Sequence, residues 1–389
     1  MKKTAYRVAL AIFVILLLAP FGLFIMLMMA LNGEGEFYSI FITVTYVLLS
    51  VWMILLAVRK FSKKTRDYLL IGIVFVSLST FMIYNGRKMY IESIPTVSDQ
   101  GVDLFKYKPF TDSSQIARLD EPSTFQVQDS LIIDGATALY PLYAAFVEAT
   151  FPRGDYNPYG GQVSCSTTPE AYSHLLYGDA DLIFCAAPSK RQVEEAKNFG
   201  KEYKLTAIGK EAFVFFVNAE NPVSELSVEQ IQDIYSGKIT NWKEVGGRNE
   251  EIKAFQRPHN SGSQTMLEKI MGEKPLMEPP RNNRVGGMGE IIDRTATYKN
   301  FGNAIGYTFL FFATEMIGNN QIKLIKVNGI EPSKETIRSG KYPFVGDFYA
   351  ITTDTNNKNV EDFIHWILSP QGQELVEKTG YIPVNQLVN

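Results

Sequence analysis

Cysteine is nearly absent, two residues in 389, which excludes a small fold stapled by disulfides. Histidine is almost as scarce, with only three, and the surroundings of His174, His259 and His365 offer no metal-ligand spacing. No metal or cofactor is therefore expected. Charged residues make up only 20 %, 38 basic against 41 acidic. With a pI of 5.8 the chain is not a generally basic nucleic-acid binder. Catalytic signatures are missing too: there is no Gly-x-Ser-x-Gly elbow, and Gly286-Gly-Met-Gly289 lacks the lysine and spacing of a P-loop. Arg281 and Arg284, just before it, read as solvated surface. What the chain does have is apolar surface, 46 % of residues, which excludes disorder. Its length suits two or three domains of about 150 residues. A mean hydropathy of −0.04 conceals a very apolar N-terminus joined to an ordinary remainder.

Three stretches free of charge, 8–31, 37–58 and 68–86, fill the first ninety residues. Each approaches or exceeds the roughly 20 apolar residues that cross a bilayer. The first exceeds the apolar core of a cleaved signal peptide, about 7–15 residues, and two more follow it. Residues 1–90 are thus expected to be a membrane anchor of three transmembrane helices. Lys2, Lys3 and Arg7 precede the first span, and Arg59, Lys60, Lys63, Lys64 and Arg66 lie between the second and third. The positive-inside rule places these in the cytoplasm and everything after the third span outside the cell. Residues 91–124 carry no sustained period and are read as a linker, although Phe105, Tyr107 and Phe110 are unusual there.

From residue 125 short β-rich runs alternate with helical patterns, which predicts an α/β fold with mainly parallel strands. In Leu131-Ile-Ile-Asp-Gly-Ala-Thr-Ala-Leu a buried strand meets a turn, and Leu139, Leu142, Tyr143, Phe146, Val147 and Phe151 then recur at helical spacing. Thr137 sits where an N-cap belongs. Thr167 or Thr168 should cap the next helix, with Pro169 near its first position and Glu170 completing a capping box. A strand over Asp181–Cys185 follows. Further on, Ser261-Gly262-Ser263 opens a helix with a buried stripe of Met266, Leu267, Ile270 and Met271, and Arg257 lies in the turn before it. One hydroxyl at a helix start is worth only about 1 kcal/mol as a cap. Several helix starts converging on one cleft would make an anion site, and Arg257 would add a charge-assisted fork.

These segments carry a resemblance. Gly135-Ala-Thr-Ala-Leu-Tyr-Pro, Arg257-x-x-x-Ser261-Gly-Ser, Asp233-Ile-Tyr-Ser-Gly-Lys-Ile-Thr-Asn-Trp242, Asn303-Ala-Ile-Gly-Tyr307 and Ser369-Pro-Gln-Gly-Gln-x-x-Val-x-Lys-Thr-Gly-Tyr-Ile-Pro383 occur in this order. The region from about 128 to the C-terminus resembles the solute-binding domain of PstS-type phosphate-binding proteins, receptors of phosphate ABC transporters. The resemblance implies a two-lobe periplasmic-binding-protein type II fold after the three transmembrane helices, over residues 125–389. Lobe one would be 125–212 with 345–389, and lobe two 213–344. It implies a binding protein and not an enzyme, with inorganic phosphate or a related oxyanion as ligand and ABC permease subunits as partners. The ligand contacts it implies are Thr137, the backbone N–H of Ala138, Thr168 or Thr167, Arg257, Ser261, Gly262 and Ser263.

Two departures bear on selectivity. The family carries an aspartate just before its Ala-Pro pair, where it accepts the proton of hydrogen phosphate and rejects sulfate; this chain has Ala186. The family pairs its arginine with an aspartate two residues on; here that residue is His259. Loss of both implies an oxyanion site that separates phosphate from sulfate poorly, or one that has drifted to another ligand, unless a carboxylate such as Asp134 replaces the missing one. His365, beside Trp366, is expected to pack, His174 to lie on a helix surface, and Cys165 and Cys185 to be free thiols. The competing functional expectation is a sensor or scaffold module that keeps the fold without transport. A hydrolase would need a nucleophile–base pair that the sequence does not offer.

Overall fold

The computed structural model describes residues 2–31, 35–59, 61–93, 96–97, 102–128, 130–257, 259–277, 298–299, 301–317, 321–354 and 357–384. Arg281, Arg284 and the 286–289 glycine run lie outside the described residues. The chain forms two compact units, which are taken in turn.

The first unit consists of three long helices, α1 (Lys2–Leu31), α2 (Gly35–Val58) and α3 (Lys63–Ser93). All three are long and apolar enough to cross a membrane. Several of their polar side chains bond within the group. The Tyr46 hydroxyl donates to the Ile15 carbonyl at 2.6 Å, Thr45 and Ser77 hydroxyls meet at 3.4 Å, and the Trp52 indole donates to the Arg66 carbonyl at 2.9 Å.

The second unit opens with β1 (Thr96–Val97), then β2 (Ile133–Gly135), α4 (Tyr140–Thr150), α5 (Thr168–Tyr177), β3 (Leu182–Ala186) and α6 (Lys190–Asn198). The chain continues through β4 (Lys204–Asn218), β5 (Glu225–Leu226), α7 (Val228–Tyr235), β6 (Lys253–Ala254) and α8 (Gly262–Met271). Next come β7 (Tyr298–Lys299), β8 (Ala304–Phe309), β9 (Ile322–Leu324), β10 (Lys326–Val327) and α9 (Lys334–Arg338). The last elements are β11 (Val345–Thr352), α10 (Asn359–Ile367), α11 (Pro370–Thr379) and β12 (Ile382–Pro383).

The main sheet has the order β2-β3-β11-β4-β8-β6. Its centre is the fifteen-residue β4, which pairs with β11 as far as Ala212 and with β8 from Phe213 onward. One strand therefore serves two lobes. Two separate aromatic and aliphatic cores flank it, one holding Phe146, Phe184 and Phe363, the other Phe213, Trp242 and Tyr307. The expectation of mainly parallel strands is corrected. Among the described strands β2–β3, β6–β8 and β5–β10 are parallel, while β4 is antiparallel to β8, β9, β11 and β12. The reason is the crossover: β4 leads out of the first lobe, β11 leads back, and the two run in opposite directions side by side.

From residue 102 onward part of the expected linker packs on the domain. Leu104, Tyr107, Ile116 and Val127 are buried in the first core, and Phe110 packs against it. Phe105 stays exposed, its ring 5.5 Å from that of Tyr159. His365 is exposed rather than packed. The buried stripe of α10 is Val360, Phe363, Trp366 and Ile367, whose helical spacing turns residue 365 outward.

Candidate functional site

The first lobe contributes two polar starts. The chain leaves β2 at Gly135, where a Cβ would lie 2.7 Å from the Phe184 carbonyl oxygen and 2.8 Å from the Tyr143 ring, so only glycine fits. Thr137 does not cap α4. It begins a 3-10 turn, Thr137–Leu139, whose N-cap is Ala136. Pro141 explains this: lacking an N–H, it belongs in the first turn of an α-helix, so α4 starts at Tyr140 and a tighter turn leads into it.

At α5 the alternatives Thr167 and Thr168 are separated. Thr167 occupies the N-cap position with φ +85°, costly for a β-branched residue, and caps no backbone N–H. Its hydroxyl donates to the Glu170 carboxylate, so the expected capping box is a side-chain pair only. Thr168 is buried and faces the other lobe.

Two thiols stand behind these threonines. Both are buried, and the polar groups that favour their charged forms include Tyr143 and Thr137 for Cys165 and Thr168 for Cys185. Burial pushes the Cys165 thiol up to about 12 and Cys185 well above its ordinary value, so both are neutral. Both are free thiols. Ile133 of β2 pairs with Val163 on one side and Leu182 of β3 on the other. The segments that lead to the two cysteines therefore lie on opposite sides of β2.

The second lobe contributes the turn from β6 into α8. Ser261 is the N-cap of α8, accepting from the Gln264 N–H at 3.2 Å. Leu267 and Met271 are fully buried, and Met266 and Ile270 pack partly against the core. The Arg257 N–H donates to Gln264 Oε1 at 3.0 Å and to the Tyr307 hydroxyl at 2.8 Å. Tyr307 also donates to Gln264, whose amide in turn donates to Gln256 Oε1 at 3.3 Å. Burial raises the Tyr307 pKa; the N–H and the positive charge of Arg257 oppose that rise.

The halves meet at Gly262. A Cβ built there would lie 3.3 Å from Cβ of Ala186 and 3.5 Å from Oγ1 of Thr168. The first turn of α8, with Ser261 and Ser263 on either side of Gly262, therefore abuts Thr168 and the end of β3. A second bridge joins Ser189, the N-cap of α6, to Asn260 Oδ1 at 2.8 Å. Ala138 packs against the second-lobe cluster of Phe216, Phe255, Ala304 and Phe312. Thr137 is buried in the first lobe and is not among the side chains that Gly262 approaches. His259 also stands apart from this contact: its side chain is 85 % exposed and 3.9 Å from Glu268 on α8.

Asp134 does not stand in for the carboxylate missing at Ala186. It accepts from the N–H of Gly135 at 2.7 Å and of Ser166 at 2.9 Å, from the Ser166 hydroxyl, and from His174 Nδ1 at 2.7 Å. His174 is accordingly a hydrogen-bond partner of Asp134 and not a bare surface residue. The carboxylate lies between serine and histidine, so this trio is not a nucleophile–base pair. Among the described residues no group of histidine, cysteine and carboxylates could hold a metal.

Sequence reading missed Ser189, Asn260, Gln264, Tyr307, Ser166 and the placement of both thiols. The Ser-x-x-Gln pattern of Ser189–Gln192 and Ser261–Gln264 was a usable signal for two helix starts.

A pair of α/β lobes on a shared crossover strand, with polar helix starts facing each other where they meet, defines a solute-binding domain. The chain belongs to the PBP superfamily, whose domain model matches residues 121–371. It is 26 % identical over 261 residues to the phosphate-binding protein PstS of Borreliella burgdorferi, covering 65 % of this chain and 89 % of the relative. It is 25 % identical over 264 residues to the phosphate-binding protein PstS of Bacillus subtilis, covering 66 % and 82 %. A candidate phosphate ABC transporter substrate-binding protein from Clostridium perfringens, solved with bound phosphate, is similar at a TM-score of 0.51 and 26 % identity. That match covers 66 % of this chain and all of the other.

Proposed function

We propose that the chain is a membrane-anchored receptor that binds phosphate or a similar oxyanion between its lobes and presents it to the permease of an ABC transporter. It is a binding protein, not an enzyme. The observation that carries this reading is the approach of the α8 start to Thr168 and Ala186. Backbone N–H groups at a helix start carry about half a positive charge and accept an anion readily. The ligand contacts are Thr137, Ala138 N–H, Thr168, Arg257, Ser261, Gly262 and Ser263, and the phosphate relatives support the choice of a tetrahedral anion. The soluble unit faces outward and the N-terminus faces the cytoplasm, in line with the basic residues around the spans.

The site accepts phosphate and sulfate alike. With alanine at 186 and the oxygens of Asp134 occupied, the described residues of the first lobe bring no free carboxylate to the start of α8 to accept the proton of hydrogen phosphate. Calorimetric titration of the full chain in detergent with each anion tests both statements. Heats with both anions are expected. Phosphate binding with sulfate silent would contradict the loss of discrimination. Silence with both would contradict the receptor reading and favour a scaffold role.

A further inference from the structure

The first-lobe half of the cleft is built over a buried carboxylate. Asp134 is 1 % exposed and ends one residue before Gly135, while Ser166, bonded to it twice, ends one residue before Thr167. One carboxylate therefore ties together both polar starts of this lobe. It also lies close enough to be felt by Cys165 and Cys185, the thiols behind Thr137 and Thr168. Such a charge opposes the capture of an anion. Inside a protein, like charges several ångströms apart shift an equilibrium by about ten- to a hundredfold.

Three of the donors to Asp134 belong to the turns themselves, the N–H of Gly135 and the N–H and hydroxyl of Ser166. The fourth comes from elsewhere. His174 projects from the last turn of α5 and places Nδ1 2.7 Å from Asp134 Oδ2. Its side chain is 41 % exposed, and the hydrogen bond from its ring goes to Asp134. We propose that His174 is a positioning residue of the anion site: by donating from Nδ1 to Asp134 it holds the carboxylate away from the cleft and offsets its charge, so that the first lobe offers donors to the ligand. This rests on the oxyanion reading above, which it deepens by naming what makes that lobe hospitable to an anion.

The test is a double-mutant cycle on the full chain in detergent, titrated with inorganic phosphate and with sulfate. His174→Ala is expected to weaken both anions about tenfold. His174→Asn keeps a donor near the place of Nδ1 and is expected to stay within about threefold of the parent. Asp134→Asn removes the charge that His174 offsets, so adding His174→Ala to it should change affinity by less than about twofold. A double variant weaker than His174→Ala would show a purely mechanical brace and overturn the proposal, as would a His174→Ala variant that binds like the parent. If Asp134→Asn does not fold, the contrast between His174→Ala and His174→Asn decides alone: equal losses overturn it. A parent chain silent to both anions removes the oxyanion reading and this inference together. A parent that binds, with no coupling between residues 134 and 174, removes only the inference.

Discussion

The two lobes solve the same problem with opposite chemistry. The second lobe positions its half of the cleft with neutral amides and a phenol, Gln264, Gln256 and Tyr307, and adds the cationic Arg257. The first lobe buries carboxylates, Asp134 at 1 % exposure and Glu211 at 5 %, and meets the other lobe with threonine and alanine. Neutral amides can be buried once their hydrogen bonds are made, whereas a carboxylate needs either several donors or a proton. Asp134 has four donors. Glu211, on the first-lobe part of β4, accepts from the Phe311 N–H at 2.6 Å, and burial raises its pKa to about 8. On the proposed reading, the positive charge for an anion comes from the second lobe, and the first supplies neutral donors.

The largest break in this contrast comes from removing Arg257. Arg257→Ala should weaken phosphate about a hundredfold, since each charge-assisted hydrogen bond is worth roughly 1.5–3 kcal/mol. A loss below about threefold in a calorimetric titration would mean that the cation is not where the anion binds. Glu211→Gln addresses the other lobe and reads out stability. The folded protein holds a proton on Glu211 up to about pH 8, above the ordinary value of 4.5. The unfolded chain releases that proton earlier, so the contribution is complete below the ordinary value and is lost as pH rises toward 8. In urea unfolding the variant should exceed the parent by about 2 kcal/mol at pH 8, with the gap shrinking toward pH 5. A gap that does not change with pH would mean that Glu211 is charged in the folded state. The smallest effect is expected where the lobes touch. Gly262→Ala places a methyl 3.3 Å from Ala186, which should weaken phosphate by about three- to tenfold while leaving the melting temperature equal or slightly higher. Unchanged affinity would show that this contact is not part of the bound state.

Much of this was legible from residue patterns. The three apolar spans were visible from length and lack of charge, and the start of α8 from Ser261-Gly262-Ser263 followed by its apolar stripe. Local rules also narrowed the choice at α5 to two threonines. What they could not do was rank them, because the choice depends on a positive φ at Thr167 and on Gly262 arriving from another lobe. The pairing of Asp134 with His174 spans forty residues, and that of Ser189 with Asn260 spans seventy-one. Neither has a signature in periodicity or spacing. The direction of the central strands was misread for a related reason: β11 is the return crossover, and its antiparallel pairing with β4 follows from chain topology, not from the composition of either strand.

The most direct test is a crystal structure of the chain soaked in phosphate. Tetrahedral density bonded to the Thr168 hydroxyl, the N–H groups at the start of α8 and the Arg257 guanidinium is the expected result. Lobes closed with Gly262 against Ala186 and no anion between them, at a phosphate concentration that saturates binding in solution, would contradict it.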